Sequence, residues 1–323
     1  MRIAGKKILQ SGAAALALSF TLLGQQPPLP KQTYVYKRVN DCEIKADVYR
    51  PQQDGVRAAI LYIHGGALIL GHRGGIRPAE LNRYLEAGFV VVSIDYRLAP
   101  ETKLAGIAED VQDAYRWIRQ DGPALFKIDP NRVAVIGHSA GGYLTLMAGF
   151  RFQPRPKALV SFYGYGDIVG DWYSRPDPFY LRQPLVSRES ALAGVGKVEI
   201  SEGVESEKRR PFYLYCRQQG LWPKEVVGID PNTGRSQFDR FCPVQNVSRD
   251  HPPTLLLHGD RDTDVPFEQS AQMARELKRV RIEHEFIRIS EGGHGFDGNA
   301  DDPQTVRAFE RVMAFLDKHL NKP

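Results

Sequence analysis

Hydrophobic and polar positions alternate along the chain in two patterns that predict strands and helices. Short continuous apolar runs bounded by polar residues, such as 58–63 and 89–94, are typical of strands buried on both faces of a sheet. Between them, segments such as 107–119 carry apolar residues at helical spacing. Strands that alternate with helices predict crossover connections, and therefore a mostly parallel sheet with helices on both faces.

The pattern predicts an α/β fold with eight strands. We expect the first two strands, 34–39 and 44–49, to form an antiparallel pair. The other strands are predicted at 58–63, 89–94, 132–136, 158–162, 254–257 and 284–289. Helices are predicted at 78–87, 107–119, 140–149, 266–278 and 306–320.

One long segment, from 166 to 247, contains no strong buried strand. It is too long for a simple loop in a compact domain, so we predict an inserted cap at about 168–248. Its aromatic residues either wall a substrate pocket or, as we favour for most of them, form the core of the cap. They are Trp172, Tyr173, Phe179, Tyr180, Phe212, Tyr213, Tyr215, Trp222, Phe238 and Phe241.

The N-terminus has the features of a secretory signal peptide. Three basic residues, Arg2, Lys6 and Lys7, precede an apolar run over 11–23, which is shorter than the roughly 20 residues that span a bilayer. We therefore expect 1–24 to be a leader, 25–323 to be the catalytic domain, and the protein to be secreted or periplasmic without a stable membrane span. A buried N-terminal helix is the alternative.

Composition narrows the classes of function. With 42% hydrophobic and 25% charged residues among 323, the chain is neither disordered nor a multi-span membrane protein. The net charge of +5 falls to +2 without the leader, whose three charged residues are all basic. No block of like charges and no nucleic-acid-binding motif is present in the sequence, so we expect no nucleic-acid partner.

The cysteine pattern gives no support for a zinc or redox site, because the three cysteines show neither a CxxC motif nor Cys/His ligand spacing. In an oxidising compartment, Cys216 and Cys242 are the favoured disulfide pair because they lie in one irregular stretch, which leaves Cys42 on a strand. Three unpaired thiols are the alternative.

The segment Gly-His-Ser-Ala-Gly at 137–141 follows the strand at 132–136 and opens a helix. A strand, a tight turn and a helix are the setting of a nucleophile elbow, so Ser139 is the candidate nucleophile. A glycine-rich turn without chemistry is the alternative. A serine hydroxyl needs a base, and the base needs an orienting acid.

The elbow architecture places the acid and then the base after the serine, each beyond the end of a strand. His294 lies in a glycine-rich loop after the last strand and is the candidate base. Among three aspartates after the strand 254–257, Asp262 is the candidate acid, whereas we expect Asp260 to form a turn and Asp264 to cap a helix. The other histidines near motifs are assigned structural roles: His64, His138 and His258.

A candidate oxyanion hole lies in His-Gly-Gly-Ala at 64–67, directly after the strand 58–63. Attack on a carbonyl carbon builds negative charge on its oxygen, which backbone N–H groups stabilise by about 3 kcal/mol each. We expect these donors to be Gly66, Ala67 and Ala140.

Together, HGGA, DYRLAPE at 95–101, GHSAGG, and HGDRDTDVP with GGHGF resemble the hormone-sensitive-lipase-like branch of α/β-hydrolase carboxylesterases. The resemblance covers about 56–165 and 250–320, and implies the α/β-hydrolase fold with Ser139, Asp262 and His294 as triad. Ala67 departs from it by replacing the usual third glycine. The cap is a second departure, because the family builds much of its cap from N-terminal helices, whereas here the cap is predicted at about 168–248. Capped relatives of peptidase or feruloyl-esterase type are therefore also possible.

We therefore expect a serine hydrolase that cleaves a small-molecule carboxylic ester through an acyl-enzyme, with no metal and no cofactor required. Two alternatives remain, an amidase or oligopeptidase with the same triad and a non-catalytic binding protein on the same fold. The sequence leaves the acyl chain length, the alcohol and the oligomeric state open, although the resemblance favours small or medium esters.

Overall fold

A computed structural model describes residues 30–203 and 206–321, so the predicted leader at 1–24 lies outside the described residues. The central element is the predicted eight-stranded sheet. Its strands are β1 (Lys31–Val39), β2 (Cys42–Tyr49), β3 (Arg57–Ile63), β4 (Val90–Ile94), β5 (Ile128–His138), β6 (Ala158–Phe162), β7 (Thr254–Gly259) and β8 (His284–Ile289). The order is β1-β2-β4-β3-β5-β6-β7-β8, with β1 and β2 antiparallel to their neighbours and the others parallel. The α/β prediction is confirmed.

Helices cover both faces of the sheet. The helices are α1 (Pro78–Glu86), α2 (Leu104–Gln120), α3 (Gly122–Phe126), α4 (Ala140–Arg151), α5 (Asp171–Ser174), α6 (Arg188–Leu192), α7 (Ser206–Gln219), α8 (Trp222–Val227), α9 (Pro231–Gly234), α10 (Glu268–Val280) and α11 (Pro303–Leu320). Short 3-10 helices occur at Arg73–Gly75, Tyr180–Arg182, Arg235–Phe241, Pro243–Gln245 and Phe296–Gly298.

The alternation of side chains along β3 explains the two cores. Ala59 and Leu61 pack with α2, α3 and α4 on one face, whereas Ile60 and Tyr62 pack with α1 and α11 on the other. Because both faces are covered, the strand needs apolar residues at consecutive positions, as its sequence pattern predicts.

The largest difference from the predicted boundaries is at β5, which begins at Ile128 rather than at 132. Arg57 of β3 pairs with Ile128 before a register shift, and the intervening residues are polar or proline. An irregular pairing of this kind leaves no continuous apolar run, so the hydrophobic pattern detects only the later part of the strand.

The chain between β6 and β7 contains α5 to α9 and no strand among its described residues. Most of its aromatic residues pack into the same core as α2 and α4; Tyr173, for example, stacks on Trp222 with 4.2 Å between ring centroids. Cys216 and Cys242 are buried free thiols, and Cys42 is also free, so the alternative of three unpaired thiols applies. None of the described helices is both long enough and apolar enough to cross a membrane.

Candidate active site

Ser139 occupies a strained turn between β5 and α4. Its φ of 56° and ψ of −118° lie outside the ordinary regions for a non-glycine residue. The flanking glycines are required sterically, because a Cβ on Gly137 would lie 2.2 Å from the carbonyl oxygen of Gly141, and one on Gly141 would lie 2.0 Å from that of Ile63. The tight contacts on both sides hold the serine at the tip of the turn.

The three residues proposed from the sequence as a triad are in contact. His294 Nε2 lies 3.0 Å from Ser139 Oγ, and His294 Nδ1 lies 2.8 Å from Asp262 Oδ2. The other oxygen of Asp262 accepts hydrogen bonds from the backbone N–H groups of Asp264 (2.8 Å) and Val265 (2.9 Å). This arrangement has the geometry of a nucleophile, a base and an orienting acid.

The surroundings set the protonation states of the acid and the base. Burial alone would raise the pKa of Asp262, but hydrogen bonds from His258 and His294 outweigh it and hold that pKa well below its ordinary value. Burial likewise opposes protonation of His294, whereas Asp262 and Asp264 favour it, and the net effect is a raised pKa. Asp262 is therefore an anion that stabilises the imidazolium form of its partner.

The loop after β3 approaches the serine closely. A Cβ on Gly65 would lie 3.3 Å from the Cβ of Ser139. Gly66 and Ala67 have positive φ angles of 109° and 55°, so the backbone turns sharply where the oxyanion donors are expected. Within the described residues, the backbone N–H groups of Gly66, Ala67 and Ala140 donate no hydrogen bond to protein. The three donors expected from the sequence are therefore unpaired within this part of the chain.

The 95–101 stretch packs behind this loop and supports it, a role that no local pattern in the sequence indicates. Tyr96 stacks on His64 with 4.2 Å between centroids, and its hydroxyl donates to the carbonyl oxygen of His64 at 3.0 Å. The Ala99 N–H donates to the Leu68 carbonyl oxygen at 2.8 Å. Burial lowers the pKa of His64 to about 4, so its ring is neutral near pH 7 and has the structural role that was predicted.

A cavity of about 410 Å³ opens onto Ser139 and His294. The loop after β3 forms one side, and the long segment between β6 and β7 contributes the other through residues that include Tyr180 and Tyr213. These two are the members of the ten-residue aromatic set that line the cavity. Most of the set is core, as the favoured interpretation held.

Asp264 does not cap a helix, so that prediction is wrong. The helix α10 begins at Glu268 and has no side-chain cap. Asp264 Oδ1 instead accepts hydrogen bonds from Tyr180 (2.7 Å), Arg217 (2.7 Å) and the hydroxyl of Tyr213. These partners come from distant positions of the chain, so no local motif could have indicated them.

His258 has a structural role, as predicted. Its Nδ1 lies 2.7 Å from Ser270 Oγ, and its Nε2 lies 3.0 Å from the carbonyl oxygen of Val265 and 3.3 Å from Asp262 Oδ2. It is fully buried and connects the acid to α10. Asp260 lies in the turn after β7, as predicted, and its Oδ1 accepts the N–H of Glu291 in the loop after β8 at 2.7 Å.

A buried group of charged residues lies directly behind the nucleophile. His138 Nε2 is in ionic contact with Asp297 Oδ2 at 3.1 Å and Glu80 Oε2 at 3.6 Å, and Arg77 pairs with Asp297. Ligand atoms of the two carboxylates and the imidazole lie within 4.8 Å of one another, a spacing that could accommodate a cation. Burial opposes a charge on His138, but both carboxylates outweigh it and raise its pKa. His138 and Arg77 are the basic partners of these two carboxylates.

Comparison with known proteins agrees with the architecture. A sequence model described as the α/β-hydrolase fold matches residues 60–298. The chain belongs to this α/β-hydrolase family. Among solved structures, a Staphylococcus aureus protein of unknown function superimposes with a TM-score of 0.72 at 22% identity, covering 90% of this chain and 99% of that one. An esterase from Thermogutta terrifontis superimposes with a TM-score of 0.64 at 23% identity, covering 90% and 94%.

The curated relatives are much longer than this α/β-hydrolase chain. A non-reducing polyketide synthase from Aspergillus terreus is 26% identical over 339 residues, which is 90% of this chain but 14% of the synthase. A second such synthase, from Penicillium brevicompactum, is 28% identical over 86% of this chain and 15% of its own length. The chain thus spans about one seventh of the length of these relatives.

Proposed function

We propose that the protein is a serine hydrolase that cleaves carboxylic esters through a covalent acyl-enzyme. The observation that carries the proposal is the continuous hydrogen-bonded chain from Ser139 Oγ through His294 to Asp262, with distances of 3.0 and 2.8 Å. A serine hydroxyl, a partly exposed imidazole and a buried carboxylate in this order match the requirements for activating a hydroxyl that is otherwise a weak nucleophile.

In the proposed acylation step, Ser139 Oγ attacks the ester carbonyl carbon while His294 Nε2 accepts the hydroxyl proton. Asp262 keeps Nδ1 protonated, which leaves Nε2 free to accept, and its anion stabilises the imidazolium that forms. His294 then donates the proton to the departing alcohol oxygen. In deacylation the same nitrogen accepts a proton from water, which attacks the acyl carbon. The bond to Ser139 Oγ then breaks, His294 returns the proton to that oxygen, and the acid is released.

Negative charge develops on the carbonyl oxygen in both steps. The N–H groups of Gly66, Ala67 and Ala140 are proposed to receive it, since they have no protein partner among the described residues and flank the serine. Ala67 serves as a donor despite its methyl group, because the hydrogen bond comes from its backbone. Removal of one such donor typically costs about 3 kcal/mol of transition-state stabilisation.

We propose small or medium acyl esters as substrates. A cavity of about 410 Å³ lies near the lower end of the range for small-molecule sites, about 300–1,000 Å³. Among solved structures of similar fold, the Thermogutta terrifontis esterase has been determined with butyrate bound. This supports short-chain esters as the first substrates to test here.

The test uses a series of acyl esters with the wild-type protein, Ser139→Ala and, as a matched serine control, Ser190→Ala on the exposed surface of the long segment. We expect Ser139→Ala to lose nearly all turnover with an unchanged circular-dichroism spectrum, whereas Ser190→Ala keeps it. A fluorophosphonate probe should add one adduct mass to the wild type and none to Ser139→Ala. Undiminished hydrolysis by Ser139→Ala would rule out the proposed mechanism.

An amide with the same acyl group is measured alongside each ester, because the same triad cleaves both bond types. Faster turnover of the amide than of the ester would favour the amidase alternative over ester hydrolysis.

We also propose that residues 1–24 direct export, on the basis of their sequence alone. Expression of full-length and 25–323 chains in a bacterial host, followed by fractionation, tests this. The full-length chain is expected in the periplasm or medium and the shortened chain in the cytoplasm; equal distribution would contradict export.

A further inference from the structure

We propose that Asp264 selects the leaving group, and that the preferred substrates are esters of alcohols that carry a protonated amine. This inference rests on the proposed ester hydrolysis and adds the class of alcohol. The cationic N–H would donate a hydrogen bond to Asp264 Oδ2, inside the cavity that contains Ser139 and His294.

The two carboxylate oxygens of Asp264 have different environments. Oδ1 accepts three hydrogen bonds, from Tyr180, Tyr213 and Arg217. Oδ2 accepts no hydrogen bond from any described residue and lies 3.5 Å from His294 Nε2. The side chain is 21% exposed, and the residue lines the cavity. The hydrogen bonds that hold the long segment use Oδ1 alone. Oδ2 is therefore available for a ligand.

The charges around Asp264 leave it partly uncompensated. Arg217 is 1% exposed and is shared between Asp264 and Asp177, so this group carries one cation and two anions. Arg77 also lines the cavity but is paired with Asp297. Arg210 of the lining is exposed to solvent, which screens its charge. His138 is paired with Asp297 and Glu80, and His294 is neutral when it accepts the serine proton. The interior side of the cavity therefore favours a cation next to Oδ2.

The position of the leaving group follows from the chemistry of His294. Its Nε2 must come within hydrogen-bond distance, about 3 Å, of the departing alcohol oxygen. Since Asp264 Oδ2 lies 3.5 Å from the same nitrogen, the alcohol oxygen and Oδ2 are no more than about 7 Å apart. An amine two carbons away from the ester oxygen spans that distance together with its hydrogen bond.

The experiment compares two esters of nearly identical shape, 2-(dimethylamino)ethyl butyrate, which is protonated at pH 7, and 3-methylbutyl butyrate, which is neutral. The value of kcat/KM is measured for each with the wild type, Asp264→Asn and Asp177→Asn. The readout is the ratio of the two kcat/KM values. Intrinsic differences between the esters, and any general effect of a variant on His294, cancel when ratios are compared.

Hydrogen bonds to charged groups contribute about 1.5–3 kcal/mol, so the amine-to-neutral ratio should fall at least roughly tenfold in Asp264→Asn. Asp177→Asn, which removes the other carboxylate on Arg217, should keep the wild-type ratio. An unchanged ratio in Asp264→Asn, or an equal fall in both variants, would overturn the inference.

A second measurement uses the wild type alone, in case Asp264→Asn does not fold. 2-(Dimethylamino)ethanol should inhibit hydrolysis of the neutral ester competitively, with an inhibition constant at least roughly tenfold below that of 3-methylbutanol. Equal inhibition constants would overturn the inference. If the wild type hydrolyses neither ester, the proposed function itself fails; if it hydrolyses both but with equal inhibition by the two alcohols, only the assignment to Asp264 fails.

Discussion

Replacement of Asp297 by asparagine tests how the charged group behind Ser139 stabilises the protein. Asp297 accepts a hydrogen bond from the hydroxyl of Tyr163 at 2.8 Å, pairs with Arg77, and lies 3.1 Å from His138 Nε2. Asparagine keeps the shape and one acceptor oxygen but removes the negative charge. The buried imidazole of His138 and the partly exposed guanidinium of Arg77 then lose this partner, and Glu80 is the other carboxylate that acts on both.

The lowered pKa of Asp297 gives the size of the contribution that its charge makes to stability. Burial would raise that pKa, but His138, Arg77 and Tyr163 outweigh it and lower the pKa from an ordinary 3.8 to about 2. Since one pKa unit corresponds to about 1.4 kcal/mol, the ionised carboxylate contributes about 2–3 kcal/mol to the free energy of unfolding. A depressed pKa stabilises the folded state above pH 3.8, and the contribution is lost as the pH falls through about 2.

Urea unfolding of the wild type and Asp297→Asn at pH 7, 5 and 3 measures this contribution. We expect the variant to be less stable by about 2–3 kcal/mol at pH 7 and 5, and the difference to be about half as large at pH 3, where the unfolded carboxyl is mostly protonated. Glu285→Gln is the control, because it removes a carboxylate whose partner, Arg311, is on the surface, and such pairs contribute little. Equal stabilities at pH 7, or a difference that does not shrink at pH 3, would refute the reasoning.

Three further changes probe the site and its support. Asp264→Asn removes a carboxylate that raises the pKa of His294, so the acidic limb of the kcat/KM profile for a neutral ester should move to lower pH. Trp222→Phe deletes the 3.0 Å hydrogen bond from the indole N–H to the carbonyl oxygen of Ala67, and should lower the free energy of unfolding by about 1–2 kcal/mol and also lower kcat. Gly141→Ala places a Cβ 2.0 Å from a backbone oxygen of the neighbouring strand and should abolish soluble expression.

For each of these three variants, one result would contradict the prediction. An unchanged pH profile for Asp264→Asn would mean that its carboxylate does not act on the base. Full stability and activity of Trp222→Phe would show that the loop after β3 does not depend on this contact. Gly298→Ala, where a Cβ meets nothing within 4 Å, is the control for Gly141→Ala, and equal yields of the two would refute the steric argument.

The sequence predicted the elements whose determinants are local. The strand at 158–162 matches β6, because a strand covered on both faces must be buried at consecutive positions. The strand at 284–289 matches β8, which lies at the edge of the sheet and is only partly buried. The residues of the candidate triad were also indicated by local motifs. Ser139 lies between glycines that its turn requires, and His294 follows a strand in a glycine-rich loop.

The predictions failed or stopped where contacts join distant parts of the chain. Asp264 was assigned to a helix cap from its neighbours, but its hydrogen-bond partner Arg217 is 47 residues away. Arg77 and Asp297 are separated by 220 residues, and neither belongs to a motif that indicates the pairing. Charged residues outside motifs are usually solvated, so nothing in the sequence distinguishes them from surface residues.

The sequence by itself therefore determined the α/β architecture and the chemical identity of the candidate nucleophile, base and acid, since periodic burial and tight turns leave local patterns. Only the tertiary structure decided which side chains surround them. Three features depend on how the long segment and the loops pack over the sheet. They are the carboxylate partners of His138, the hydrogen bond from Trp222 to Ala67, and the unpaired oxygen of Asp264 beside His294. That packing brings together residues whose spacing along the chain carries no signal.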